Sequence, residues 1–228
     1  MATANGIAKT VGPKASKRQV EPSLELNVHA NSILEAPPQI VVAATIVGTS
    51  KMLFHRYDVE SVEAKGKAGK GTAAKKTDDV QSYYYRDDDG NLCVPGGNLH
   101  SALILSAKSF QDPRSPRKSA RDLIVAGLIV DPELAPLISP AGEHYTEGDF
   151  MDRRRVTVQQ SAIARTRPGV EAGWTMHAEI RILQPDLISV ELLSRILVNA
   201  GACVGLCDFR PRYGRFRVAR CEAVALED

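Results

Sequence analysis

Apolar and polar positions resolve into a short series of elements after a long unpatterned start. Residues 1–38 hold few aromatics and little periodicity and read as a flexible arm, although Leu24, Leu26 and Val28 alternate well enough for a strand that docks late. Ile40 to Val47 is a continuous, mostly β-branched run broken by Gly48, the pattern of a buried central strand. Tyr83, Tyr84 and Tyr85 precede Asp87-Asp88-Asp89-Gly90-Asn91, a turn signal that closes a hairpin with Leu92 to Val94 as its return strand. Leu99, Leu103, Ala107 and Phe110 follow helical spacing and predict a first helix over 99–110, with Asn98 as its N-cap. Pro113 and Pro116 break it, and Leu123 to Val130 reads as a second strand ended by Asp131-Pro132. Trp174, Met176, Ala178, Ile180 and Ile182 alternate with polar residues and predict a third strand. Pro185-Asp186 opens a helix carrying Leu187, Val190, Leu193, Leu197 and Ala200 that stops at Gly201, and Arg215 to Cys221 is a fourth strand with Phe216 and Val218 as core candidates.

The order is βαββαβ, an α+β, ferredoxin-like arrangement that RNA-recognition modules also use; the direct succession of the second and third strands excludes a doubly wound parallel sheet. The expected organisation is an arm at 1–38, one RRM-like domain at 39–221 with long insertions at 49–96 and 131–170, and a tail at 222–228. The first insertion interleaves Lys65, Lys67, Lys70, Lys75 and Lys76 with Gly and Ala and reads as a mobile basic segment. The second begins with Pro132, Pro136 and Pro140, carries an arginine triplet and a local pairing of Val156 with Val158, and ends in Arg165-Thr166-Arg167-Pro168. Length supports this count: 228 residues suit one generous domain, with 43% hydrophobic and 25% charged residues excluding a collagen-like or wholly disordered chain. No apolar run approaches the roughly 20 residues of a spanning helix, and the N-terminus lacks the apolar core of a signal peptide, so the expected location is cytoplasmic.

A formal charge of +2 hides a division by residue type. From Met151 to Arg220 there are twelve arginines and no lysine, against six acids. Arginine's planar fork suits phosphate oxygens and stacks on bases, which points to a polyanion partner; the simpler alternative is a solvated charged face. The segment 201–217 is glycine-bearing, arginine-dense and aromatic. Its glycines permit close backbone approach, and Phe209, Tyr213 or Phe216 could stack on bases, unless they belong to the core. The expected nucleic-acid contacts are Arg56, Arg153, Arg154, Arg155, Arg165, Arg167, Phe209, Arg210, Arg212, Tyr213 and Arg215. Catalytic and metal patterns are missing from the sequence. The five histidines are scattered, Cys203 and Cys207 lack partners for a zinc site, and Asp87, Asp88 and Asp89 make a turn more simply than a magnesium site. His55 beside Arg56 is the one candidate for metal-independent RNA cleavage, as a general acid or base next to a phosphate clamp, with His177 as a second histidine. No cofactor or metal is expected.

A helix followed by a Gly-Xaa-Gly-like turn, Phe209-Arg210-Pro211 and then Gly214-Arg215-Phe216 entering the last strand resembles the RAMP superfamily of CRISPR-associated proteins, particularly its backbone subunits. The Val47-to-Arg56 opening and the Arg-Pro to Gly-Arg-Phe ending are similar to related phage and prophage proteins. The resemblance spans Ile40 to Arg220, with Leu206 and Cys207 standing where a second glycine would be more typical. It implies a palm domain, a first insertion acting as thumb or finger, and copies polymerising along guide RNA. The expected function is therefore a non-catalytic protein that binds single-stranded RNA or DNA and polymerises along it, in a ring or helix of copies and together with other subunits of a nucleoprotein complex. The alternatives are a nuclease of the same superfamily and a self-assembling viral structural protein.

Overall fold

The β-branched run after the unpatterned start forms strand β1 (Ile40–Gly48) in the computed structural model. The structure describes residues 39–57, 59, 63, 66–67, 79–158 and 161–224, those at 156–158 and 161–163 by backbone alone. The expected arm, its Leu24–Val28 strand and most of the lysine segment lie outside the described residues. Along β1, Val42, Ala44 and Ile46 are buried and the residues between them are not, as the two-residue period of a strand requires.

Strand β11 (Thr175–Ile182) pairs antiparallel with β1 from Ile40↔Ile182 to Val47↔Thr175 and buries Met176, Ala178, Ile180 and Ile182. Strand β12 (Phe216–Val224) pairs antiparallel with the other edge of β1. Beyond β11 lie β7 (Leu128–Asp131), opposite Glu179 to Ile182, and β8 (Leu134–Ile138), opposite Thr175 and Met176. Strand β4 (Leu92–Pro95) adds to β8, and β3 (Tyr85–Arg86) to β4, so the path is β12-β1-β11-β8-β4-β3 with β7 branching from β11, while β5 (Gln111–Asp112) and β6 (Ser115–Ser119) form a separate small ribbon. Every one of these pairings is antiparallel, which makes the fold α+β.

One face of the sheet is covered by helices α1 (Gly96–Ala107), α2 (Arg121–Gly127) and α3 (Val190–Asn199), whose Leu99, Leu103, Ile124, Leu193 and Leu197 join the strands' buried residues in one apolar core. Two helices are tied by a buried hydroxyl. Ser106 Oγ of α1 donates to the Ile196 carbonyl of α3 at 2.7 Å and accepts from Asn199 Nδ2 at 2.9 Å. On the other face Ala43, Thr45, His177 and Glu179 line a shallow hollow of about 430 Å³.

Several boundaries differ from the sequence reading. Residues Leu123 to Gly127 are helix, because Leu123, Ile124 and Gly127 form one buried face against the core; only Leu128 to Asp131 is strand. Helix α1 begins at Gly96 behind Pro95, placing Asn98 inside its first turn, and ends at Ala107 before Phe110. Helix α3 starts after Ser189, whose hydroxyl caps the Leu192 N–H, and not at Pro185. It continues past Gly201 as a wider turn, Ala200–Val204, and stops at Gly205, where φ is +79°. The second insertion contributes β8 to the large sheet and a long hairpin, β9 (Phe150–Val158) with β10 (Ser161–Val170), far more pairing than two valines. The Asp-rich hairpin turn agrees: Asp87 accepts from the backbone and side chain of Asn91, and Gly90 has φ +82°.

Replacing the buried Ser106 by Ala leaves the half-buried Asn199 amide and the Ile196 carbonyl each short of a partner, and should lower unfolding free energy by about 1–3 kcal/mol with the fold retained. Urea titration followed by circular dichroism measures it.

Candidate nucleic-acid interface

Two residues organise the site. Strand β2 (Met52–Leu53) pairs with Gly169 and Val170 of β10, and on its other side the loop 205–215 is bonded to the same short segment. Asp208 N–H donates to Leu53 O at 3.0 Å and Gly214 N–H to Lys51 O at 2.8 Å, while Phe54 N–H reaches Pro168 O at 2.9 Å. Met52, Leu53 and Phe54 are fully buried. The loop closes on itself through Leu206 N–H to Gly214 O, and this approach explains the glycine: a Cβ at Gly214 would lie 2.0 Å from the Leu206 carbonyl oxygen, and φ there is +73°. Cys207 and Phe209 also sit at positive φ, so the loop is a tightly turned structure rather than a plain hairpin end.

Directly opposed residues of β9 and β10 share a face, and the register puts Asp152 opposite Arg167 and Arg154 opposite Arg165. Arg154 donates through two nitrogens to Asp152 and through Nη2 to the Tyr213 hydroxyl at 2.7 Å. Its guanidinium lies 4.7 Å from the Phe209 ring centre and 5.2 Å from that of Tyr213. The carboxylate of Asp152 holds the Arg154 pKa well above the usual arginine range. Arg167, almost wholly buried, is bonded to Asp208 and stands 5.7 Å from the Phe209 ring, and its Nη1 has no hydrogen-bond partner among the described residues. Two arginines thus bind the hairpin to the loop through the rings of Phe209 and Tyr213 and the carboxylate of Asp208, with Asp152 bracing Arg154 from within the hairpin.

The remaining expected contacts divide into held and free groups. Arg165 Nη1 is 2.6 Å from His55 Nε2, and the His55 ring lies 4.8 Å from that of Tyr83. Arg215 is exposed, but its Nε donates to Pro211 O and its backbone to Ser50. Arg56 is exposed near the ring of Tyr85. Arg153, Arg155, Arg210 and Arg212 are exposed, and no carboxylate among the described residues pairs with them. Phe209 and Tyr213 are already engaged by arginines, so they are not bare platforms; Phe216 is core at 3% exposure.

The sequence reading missed the polar pocket beside the loop. A cavity of about 110 Å³ is lined by Phe54, His55, Tyr85, Asn98, Cys207 and Asp208. A second hollow of about 290 Å³ shares Tyr85 and adds Arg56, Arg86, Pro95 and Glu133. Pro95 and Asn98 belong to the start of α1, whose first turn carries no acid and leaves the positive end of the helix uncompensated. The signal available was Gly96-Gly97-Asn98, read only as a helix start. Burial pushes the Cys207 thiol up to about 12 and the Cys93 thiol to about 11. All four cysteines are free thiols, and no cluster of three metal-ligating side chains occurs among the described residues. His177, bonded to Thr45 Oγ1 at 3.0 Å, lies on the uncovered sheet face and not with the arginines.

No protein-family model matches the chain, and no curated protein matches it in sequence. Among solved structures 89 chains match. One belongs to a cryo-EM structure of the Type III-B Cmr-beta bound to cognate target RNA, with a TM-score of 0.49 and 9% identity over 82% of this chain. The match spans 61% of that neighbour's length. At this identity no residue role passes from one chain to the other. No described helix is long and apolar enough to cross a membrane.

Two outcomes follow from the loop's construction. Gly214→Ala should destabilise the protein by about 3 kcal/mol or more, through backbone strain added to a clash with Leu206, as read by urea unfolding. Because the Cys93 and Cys207 thiols are raised so far, iodoacetamide at pH 8 should label exposed Cys203 and leave those two untouched until denaturant is added, as peptide mass mapping would show.

Proposed function

We propose that the chain is a non-catalytic cytoplasmic protein that binds single-stranded RNA or DNA across β9, β10 and the 205–215 loop. In this reading β1, α1, β7, β11, α3 and β12 are the ferredoxin-like βαββαβ palm of a RAMP-type backbone subunit, occupying 39–221. The insertions 49–96 and 131–170 reach neighbouring copies, so that the protein polymerises along a strand within a CRISPR-type or phage-encoded nucleoprotein complex. The observation that carries this is the set of exposed arginines without acid partners, Arg153 and Arg155 on the hairpin with Arg210 and Arg212 on the loop it is bonded to.

Like charges gathered on linked elements repel one another, and a polyanion relieves that repulsion while releasing its own counterions. The hydrolytic alternative has less support, because Arg165 already occupies His55 Nε2.

Binding should follow the free arginines. Arg210→Ala with Arg212→Ala, and separately Arg153→Ala with Arg155→Ala, should each weaken single-strand binding, on the order of tenfold at moderate salt, and flatten its salt dependence by about two phosphate contacts. Fluorescence anisotropy across a salt series reads affinity and slope, and gels of the same mixtures read strand length. Unchanged affinity and slope in folded variants would refute the assigned interface; shortened strands would favour the nuclease.

A further inference from the structure

Strand β12 ends the large sheet. Among the described residues its one ladder is with β1, so its outer N–H and C=O groups face away from the sheet without strand partners. Its sequence from Val218 to Val224, Val-Ala-Arg-Cys-Glu-Ala-Val, reads identically from either end except at Arg220 and Glu222, which carry opposite charge. In an antiparallel pair of two such strands related by a two-fold axis at Cys221, Arg220 faces Glu222 twice and Ala219 faces Ala223, while Val218, which the irregularity at Ala219 turns to the buried face, falls outside the regular pairing. We propose that two copies of this chain associate through β12 in this register, joining their large sheets into one.

Charge fixes the register. Arg220 and Glu222 share the uncovered face of the sheet, opposite Thr45 and Ala43, and are ion-paired at 2.9 Å while more than half exposed. A second copy would join two such pairs in a four-charge cluster, in which each side chain is already partly ordered by its own chain. The neighbouring symmetric registers, centred on Arg220 or Glu222, place arginine on arginine or glutamate on glutamate and are repelled. Edge strands are ordinarily guarded by charges that keep a second edge away; here the two charges sit where they attract. Residues 220–222 lie in the regular part of the ladder with β1. Its irregularity falls beside Ala219, whose opposite number is another alanine, so no bulky side chain opposes the kink. Cys221, a free and half-buried thiol, meets its own copy at the axis.

The contact needs no nucleic acid, so its test is independent of the proposed function. Sedimentation of the nuclease-treated full chain over a concentration series should show a reversible monomer–dimer equilibrium. Oxidation with copper phenanthroline should give a Cys221–Cys221 link in preference to links through exposed Cys203, identified by peptide mapping. Glu222→Arg alone and Arg220→Glu alone should each weaken dimerisation, on the order of tenfold. The combined swap Arg220→Glu with Glu222→Arg preserves the in-chain pair and should restore it. Circular dichroism confirms folding, and the cross-link on the unmutated chain serves if a single variant fails to fold. A monomer at every concentration, single variants that dimerise like the parent, a swap that does not restore, or cross-linking without Cys221 would each overturn the proposal.

Discussion

The candidate interface depends on a strand two residues long. Met52 and Leu53 offer hydrogen bonds on both sides, to β10 on one and, with Lys51, to the 205–215 loop on the other. Because both side chains and that of Phe54 are fully buried, each contributing about 1.5–3 kcal/mol, the segment cannot shift without exposing apolar surface. The hairpin is drawn in as closely as the chain permits: a Cβ at Gly169 would lie 2.5 Å from Met52 O and 2.6 Å from the Phe150 ring. Groups far apart in sequence, Arg154 and Tyr213 among them, are thereby held on one rigid support, and a site assembled from two loops without such a support would lose alignment.

Within that support the arginines have two jobs. Arg154 and Arg167 are neutralised by Asp152 and Asp208 and lie against aromatic rings, so they can be enclosed at tolerable desolvation cost and serve as fasteners. Arg153, Arg155, Arg210 and Arg212 have no such partners and remain in solvent. Strand geometry makes the division on β9: alternate residues face opposite ways, so Asp152 and Arg154 turn toward the loop while Arg153 and Arg155 turn outward. In a triplet that looks uniform in sequence, one arginine is therefore structural and two are available, and only the available ones should respond strongly to salt.

This explains where sequence reading succeeds and where it stops. The alternation of Trp174 to Ile182, the Asp-rich turn and the helix containing Leu193 and Leu197 are local patterns that tertiary packing left intact. Leu123 to Val130 was misread because β-branched composition argues for strand throughout, whereas the Leu123, Ile124 and Gly127 face finds the apolar core and turns helical. The arginines of 153–167 could be located but not sorted, since the counter-ions of Arg154 and Arg167, Asp152 and Asp208, stand at different distances along the chain and only the fold shows which arginine each one meets. The two aromatics expected to stack on bases are similarly legible as residues and not as roles. Their ring faces are claimed by Arg154, a contact that no periodicity encodes.

The uncovered sheet face bears on how a strand could bind. RNA-recognition modules stack bases on aromatics displayed by their central strands, yet β1, β11 and β12 carry no Phe, Tyr or Trp on that face: Phe216 is buried, and the one ring displayed there is the imidazole of His177, bonded to Thr45. In the proposed function, contacts to a strand therefore rest mainly on backbone phosphates, and such contacts gain most when repeated. An edge contact about Cys221 repeats them in one particular way. Arg215 is six residues from the axis, so at about 3.3 Å per residue the two copies' loops stand roughly 40 Å apart at opposite ends of the paired strands. A short oligonucleotide reaches one loop; a long one can span both and gains the effective concentration of a tethered second site. A two-fold contact is also closed, because it uses the same edge on both copies, so growth beyond a dimer has to use another surface. Among the described residues the β9–β10 hairpin joins the rest of the chain by strand pairing only at Met52 and Leu53, and in the proposed function it is the element left to supply that surface.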